Sequence, residues 1–178
     1  MDKIVEVDFL DNTIREITKE IAHKDGIMHR AFSVILYSGN SILIQQRALD
    51  KYHCGGLWTN TCCSHPHWNE NINDAAKRRL SEEMGIEAEI EELFSFTYYY
   101  KFENGLTEFE YDHVLVGEFD GKFEINKQEA ADAKWIDIKE LQDWMKNKPY
   151  EFTPWFIIIM PRIISYLKKL KDVLNPNE

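Results

Sequence analysis

Residues Ser64–Ile86 read SHPHWNENINDAAKRRLSEEMGI. The middle of this stretch carries the marks of one helix between two punctuated ends. Asn71 or Asn73 can accept the free N–H groups of a first turn, and Gly85 supplies the left-handed residue that stops a last one. Ala75, Ala76, Leu80 and Met84 recur at helical spacing and form a narrow apolar stripe. Arg78, Arg79, Glu82 and Glu83 fill the adjacent turns, with Glu70 just upstream. Acidic side chains near the end of such a helix can bind Mg²⁺, a hard cation that prefers oxygen and bridges to phosphate. The plainer alternative is a solvated charged face.

Immediately upstream, Trp58–His67 reads WTNTCCSHPH, with two cysteines and two histidines in one short segment. If the segment is extended, Cys63 and His65 share one face and Cys62 points to the other. The alternative is two small, buried, apolar cysteines. The chain has three cysteines, and the neighbours Cys62 and Cys63 cannot bridge each other without strain. A reducing compartment disfavours pairing either with Cys54. No second Cys or His pair follows at finger-like spacing, which argues against a structural zinc.

Downstream, TEFEYDHV spans Thr107–Val114. Glu108 and Glu110 are two apart, so on a strand both carboxylates share a face. Exposed glutamates would explain them, yet YYYKF before and VLV after suggest a mostly buried sheet. Buried like charges raise each other's pKa unless a cation lies between them. His65, with His23 and His29 from AHKDGIMHRAF, are candidate partners. Three imidazoles and two carboxylates suit Zn²⁺ or Mn²⁺. His53, His67 and His113 are assigned structural or surface places.

The remaining sequence supplies the scaffold. Ile4–Leu10 reads as a strand with Asp11-Asn12 as its turn. Arg30–Tyr37 and Ser41–Gln46 read as a hairpin around Ser38-Gly39-Asn40, and Leu57–Ser64 as one extended piece. Leu93–Phe102 and Leu106–Phe119 flank Asn104-Gly105, a strong hairpin signal. Lys134–Ile136 is a short strand, Asp137 caps a helix, and Thr153-Pro154 opens the last one, which Pro161 should kink or interrupt. These elements predict an α/β (α+β) fold, a mixed sheet flanked by helices. With 178 residues, the expectation is a single domain over 1–178. The net charge of −10 argues against nucleic acid. No apolar run is long enough to span a membrane, MDKIVEVDFLDN lacks a signal-peptide core, and the expected location is cytoplasmic.

The pattern Ser64-x5-Glu70-x7-Arg78-Arg79-Leu80-x-Glu82-Glu83-x-Gly85-Ile86 resembles a Nudix box, Gly-x5-Glu-x7-Arg-Glu-apolar-x-Glu-Glu-x-Gly-apolar. It departs at Ser64 and at Arg79, where hydrolases of the fold carry glutamate. With WTNTCCSHP, AH…HRAFSV, RAL.K, TEFE and FTPW, the chain resembles the type 1 isopentenyl-diphosphate Δ-isomerases, a branch of the Nudix fold, over nearly its whole length. That resemblance implies isomerisation of isopentenyl to dimethylallyl diphosphate through a tertiary carbocation, in isoprenoid biosynthesis. It places the catalytic groups on Cys63, Glu110 and Tyr98, with Tyr100 an alternative on the same strand face. It places a Mn²⁺ or Zn²⁺ site on His23, His29, His65, Glu108 and Glu110. Glu83 matches the ligand of a Mg²⁺ that arrives with the diphosphate. Lys19, Arg47, Lys51 and Arg79 match the basic residues around the diphosphate, and Trp155 the aromatic beside the cation. A prenyl diphosphate is the implied partner, and the expected state is a monomer or weak dimer. One local departure is Gly55-Gly56, where Pro-Gly is expected. The rival readings are a Nudix hydrolase and a metal-binding domain without catalysis.

Overall fold

The computed structural model describes residues 3–174, so the outermost residues of the expected 1–178 domain lie outside the described residues. Nine strands and four α-helices follow in the order β1 (Lys3–Val7), β2 (Thr13–Thr18), α1 (Lys19–Asp25), β3 (His29–Ser38), β4 (Ser41–Arg47), β5 (Trp58–Thr59), β6 (Cys62–Ser64), α2 (Ile72–Met84), β7 (Glu91–Lys101), β8 (Thr107–Glu118), β9 (Ala130–Asp137), α3 (Ile138–Asn147) and α4 (Pro154–Leu174). A 3-10 turn, Pro149–Glu151, precedes α4.

Strand β3 organises the sheet. One edge pairs in parallel with β8 along most of its length, His29↔Glu110 through Tyr37↔Glu118. The other edge is shared by β1 at His29, β6 at Phe32–Val34 and β4 at Leu36–Ser38, all antiparallel. β7 completes the sheet beyond β8, and β9 beyond β4. Alternation along these strands divides the core in two. Phe32, Val34, Leu36, Leu43, Cys62 and Leu115 pack against Ala75, Ala76, Leu80 and Met84 of α2. Ile35, Ile42, Ile44, Val114 and Val116 pack against Trp155, Phe156, Ile159 and Ile163 of α4. The expected mixed sheet with helices on its faces is therefore present. Full burial of Leu80 and of Met84 contributes about 1.5–3 kcal/mol each.

Helix α2 begins and ends where its sequence requires. The Asn71 side chain accepts from Asn73 N, and Gly85 caps the end at φ +62, a conformation glycine adopts without cost. Other boundaries differ from expectation. β1 stops at Val7 because Asp8 Oδ1 accepts from Leu10 N and Asn12 N and turns the chain early. β2 and α1 were not foreseen; Thr18 caps α1 by accepting from Ile21 N. Leu57–Ser64 is not one strand. β5 pairs with β4, β6 pairs with β3, and Thr61 bridges the gap, accepting from Leu36 N and donating to Leu43 O. β9 is longer than Lys134–Ile136 because β4 pairs with its whole length. α4 runs unbroken through Pro161. That proline lies on the exposed side, where the carbonyl it leaves free can meet water.

Candidate active site

Parity places the chemistry on the α4 side of the sheet. On β3 it turns His29, Ala31 and Ser33 to one face; on β8 it turns Glu108, Glu110 and Asp112 to the same face. Ser33 lies opposite Cys63 on β6, so Cys63 joins that face, while Cys62 is fully buried against α2. The split between the two cysteines matches the sequence reading.

Five buried residues converge at one end of this face. His23 comes from α1, His29 from β3, His65 from just past β6, and Glu108 and Glu110 from β8. One ligand atom from each lies within 4.8 Å of all the others. His23 Nδ1 lies 2.6 Å from the Lys19 carbonyl, and His29 Nδ1 lies 2.8 Å from the Ile27 carbonyl. A carbonyl only accepts, so each Nδ1 carries the hydrogen and each Nε2 presents a lone pair to the centre. His29 Nε2 and Glu108 Oε2 are buried without a hydrogen-bond partner. Orphaned lone pairs beside two carboxylates fit a divalent cation, and the nitrogen–oxygen donor set fits Zn²⁺ or Mn²⁺. Burial pushes Glu108 up, but the neighbouring imidazoles of His23 and His53 prevail and hold it well below the usual carboxylate range. Burial pushes the His65 imidazole down to about 3 and keeps it neutral, as a ligand must be.

Next to the cluster is a small cavity, partly open to solvent and lined by Cys63, Tyr98, Glu110, Arg47, Trp155 and Ala31 among others. Cys63 and Glu110 come from strands on opposite edges of β3, Cys63 level with Ser33 and Glu110 level with His29. Ala31 lies between them as a small floor residue. Burial pushes the Cys63 thiol up to about 12 although the Arg47 charge pulls it down, so the sulfur carries its proton at neutral pH. Tyr98 donates to Glu110 Oε2 at 2.5 Å, and burial together with Glu110 raises the phenol well above its usual range. Tyr100 is largely exposed and packs on Phe102, so only Tyr98 reaches the carboxylate. Trp155 is held by its Nε1–H donating to Asn60 Oδ1 at 3.2 Å. Arg47 lies over the Trp155 ring, 5.5 Å from its centroid, with Nη1 3.8 Å from Cys63 Sγ.

A second, more polar cavity is lined by Lys19, Lys51, Ser64, His65, Arg78, Arg79 and Glu129 among others. Lys19, Ser64 and His65 line both cavities, which makes the two neighbours across a shared wall. Of the predicted basic residues, Lys19, Lys51 and Arg79 line this polar cavity, whereas Arg47 lines the first. Two of these cations are already paired: Lys51 with Glu129, and Arg79 with Glu82, Glu83 and Glu129. Glu83 does not line either cavity. It is buried behind Arg79, accepting from Arg79 at 2.7 Å and from Gln45 Nε2 at 2.9 Å.

Three residues at the site were not singled out by the sequence. Glu129 neutralises two cations, yet it lies in an aperiodic loop. Asn60 anchors Trp155, and its place within WTNT was its only signal. His53, expected to be structural or superficial, is buried and brings Nε2 to 2.5 Å from Glu108 Oε1.

Residues 27–156 match the NUDIX domain model. The chain is 45% identical over 165 residues to isopentenyl-diphosphate Delta-isomerase 2 of Aromatoleum aromaticum, covering 92% of this chain and 87% of that protein. It is 46% identical over 160 residues to the isopentenyl-diphosphate Delta-isomerase of Serratia proteamaculans, covering 89% of each. Among solved structures it resembles DR0079 from Deinococcus radiodurans, with a TM-score of 0.67, 15% identity, and coverage of 82% of this chain and 90% of that one. It also resembles the MutT protein from Methanosarcina mazei, with a TM-score of 0.64, 11% identity, and coverage of 78% and 94%. At such identities these two likenesses concern the fold alone.

Proposed function

The chain belongs to the isopentenyl-diphosphate Delta-isomerases of the NUDIX domain family, and we propose that Cys63 and the Tyr98–Glu110 pair move the double bond of isopentenyl diphosphate between them. The observation that carries this reading is that all three line one cavity from the two edges of β3. The reaction adds a proton at the terminal methylene and removes one from the carbon next to the diphosphate-bearing carbon. The product is dimethylallyl diphosphate, and the charge between the two transfers resides on the tertiary carbon. Such a path needs proton-carrying groups on two sides of a bound alkene. Cys63 holds a proton on sulfur at one side; at the other, Tyr98 and Glu110 share one through their hydrogen bond.

The two neighbouring cavities divide the substrate. The diphosphate lies among Lys19, Lys51 and Arg79, and the alkene reaches past His65 toward Cys63. Fixing the charged end converts remote binding energy into orientation at the reacting carbons. The Trp155 face stabilises a cation by about 2 kcal/mol when water is excluded. Arg47 lies against that face, and we assign it a turn toward the diphosphate when the alkene enters.

His23, His29, His65, Glu108 and Glu110 would hold one Zn²⁺ or Mn²⁺, and Glu83 a Mg²⁺ brought with the diphosphate. The bound ion at the His/Glu centre would fix the Glu110 carboxylate and lower its proton affinity. For Glu83 to act, Arg79 must release it and turn toward the diphosphate. Arg79 also argues against hydrolysis, because it occupies two acids of α2 that a hydrolase of this fold would use for metals. Three free cysteines support the cytoplasm as the compartment.

The test is incubation with Mg²⁺ and isopentenyl diphosphate in D₂O, followed by proton and phosphorus NMR. The expected product is deuterated dimethylallyl diphosphate with its diphosphate intact. Release of phosphate or a monophosphate would assign hydrolysis instead.

A further inference from the structure

Residues 48–57 leave β4 after Arg47 and return at β5 as a tight loop. Cys54 lies in the left-handed region at φ +53, and His53 just before it is turned inward, 6% exposed. The imidazole lies flat on Phe102, with centroids 4.8 Å apart and planes 12° apart, and edge-on to Trp155 at 6.1 Å. Its Nε2 lies 2.5 Å from Glu108 Oε1. The other oxygen of that carboxylate, Oε2, faces His23 at 3.1 Å and His29 at 3.9 Å. Glu108 is thus divided, with one oxygen toward the cluster and one toward His53. His53 Nε2 has no formed hydrogen bond at this contact; because a carboxylate oxygen only accepts, an imidazole outside the ligand group can be held there only through Nε2–H.

We propose that His53 is a positioning residue for the His/Glu centre, donating Nε2–H to Glu108 Oε1 and thereby keeping Oε2 turned toward the metal. This rests on the reading that the five-residue cluster holds a divalent ion. Without the donor, a glutamate side chain can rotate and present either oxygen or neither, and the centre loses part of its preorganisation. The loop also reports to the reaction cavity. His53 lines it, and the His53 carbonyl accepts from Arg47 Nη2 at 3.4 Å. Tyr52 next to it places its hydroxyl 3.3 Å from His23 Nε2, so two successive loop residues meet the centre.

The competing account is ring packing on Phe102, and two substitutions separate the accounts. His53→Phe keeps a flat ring without a donor; His53→Gln keeps an N–H donor without the ring. Metal-free chain is titrated with Co²⁺ against a competing chelator, reading affinity and the visible absorption of the bound ion. Thermal melting confirms folding, and His53→Ala replaces the phenylalanine variant if that ring does not fit. The donor role predicts affinity weakened by about 10–100-fold in His53→Phe, as for other outer partners of metal ligands. It also predicts a changed Co²⁺ spectrum and recovery of most of the affinity in His53→Gln. Wild-type affinity in His53→Phe or His53→Ala overturns the role of His53 while leaving the metal centre intact. A wild-type chain that takes up no ion overturns the metal reading, and this one with it.

Discussion

The two sides of the sheet are built from alternate residues of the same strands and differ in almost everything else. Toward α2, Phe32, Val34, Leu36, Cys62 and Leu115 meet alanines, Leu80 and Met84 in a dry apolar layer. Toward α4, His29, Ser33, Cys63, Glu108, Glu110 and Asp112 share a face before the apolar layer resumes at Ile35 and Val114. One side is stabilised by burial, which is non-directional and proportional to area. The other gathers buried polar groups that need partners, and the structure leaves some of them without one. A short strand can therefore serve both faces at once, with Cys62 packed against α2 and Cys63 lining the cavity.

Substitutions on either side break or sharpen that contrast. Cys63→Ala should lower turnover by at least about 10²–10⁴-fold, the range of general acid–base catalysis, while substrate binding stays largely intact. Full activity by the NMR assay would remove Cys63 from the mechanism. His65→Ala removes a direct ligand, so metal analysis of the purified variant should find the tightly held ion missing. Retention of a full equivalent would break up the five-residue grouping. On the α2 side, Glu83→Gln should raise the half-saturating Mg²⁺ concentration by about tenfold, the worth of one charge-assisted contact. An unchanged Mg²⁺ titration would confine Glu83 to holding Arg79 and Gln45. Cys62→Ala should leave turnover unchanged and cost on the order of 1 kcal/mol in a denaturant melt.

Acidity offers a further way to tell the two thiols apart. With its thiol pushed up to about 12, Cys63 is almost wholly protonated at pH 7, so alkylation should be slow there. Its rate should rise about tenfold per pH unit as the thiolate fraction grows. Cys62, fully buried with its thiol raised well above the usual range, should remain unlabelled until the chain unfolds. Mass spectrometry of peptides alkylated at two pH values checks both.

Much of the scaffold was legible because its signals are local. The α2 caps, the apolar stripe Ala75–Met84, the Asn104-Gly105 turn and the opposite facing of Cys62 and Cys63 depend only on neighbours within a few residues. What escaped had no local period. Thr13–Thr18 and Lys19–Asp25 are too short to establish one, and β9 owes its length to its partner β4. His53 and Glu129 lie in loops, where no repeat announces which way a side chain turns.

By itself the sequence determined the local conformations and, through alternation, which residues share a face. It also placed Glu108 and Glu110 together, since two residues on one strand cannot avoid it. Charge balance named His23 and His29 as candidate partners and the family resemblance supported them, but nothing in the spacing brings together segments so far apart in the chain. That meeting was decided by tertiary structure, in the parallel register that places His29 beside Glu110. The same is true of the break at Asn60-Thr61 and of the inward turn of His53. The physical reason is one of range. Covalent geometry and nearest-neighbour sterics act along the chain, whereas register is chosen by the burial of the whole sheet, and only that choice decides which distant side chains come within reach.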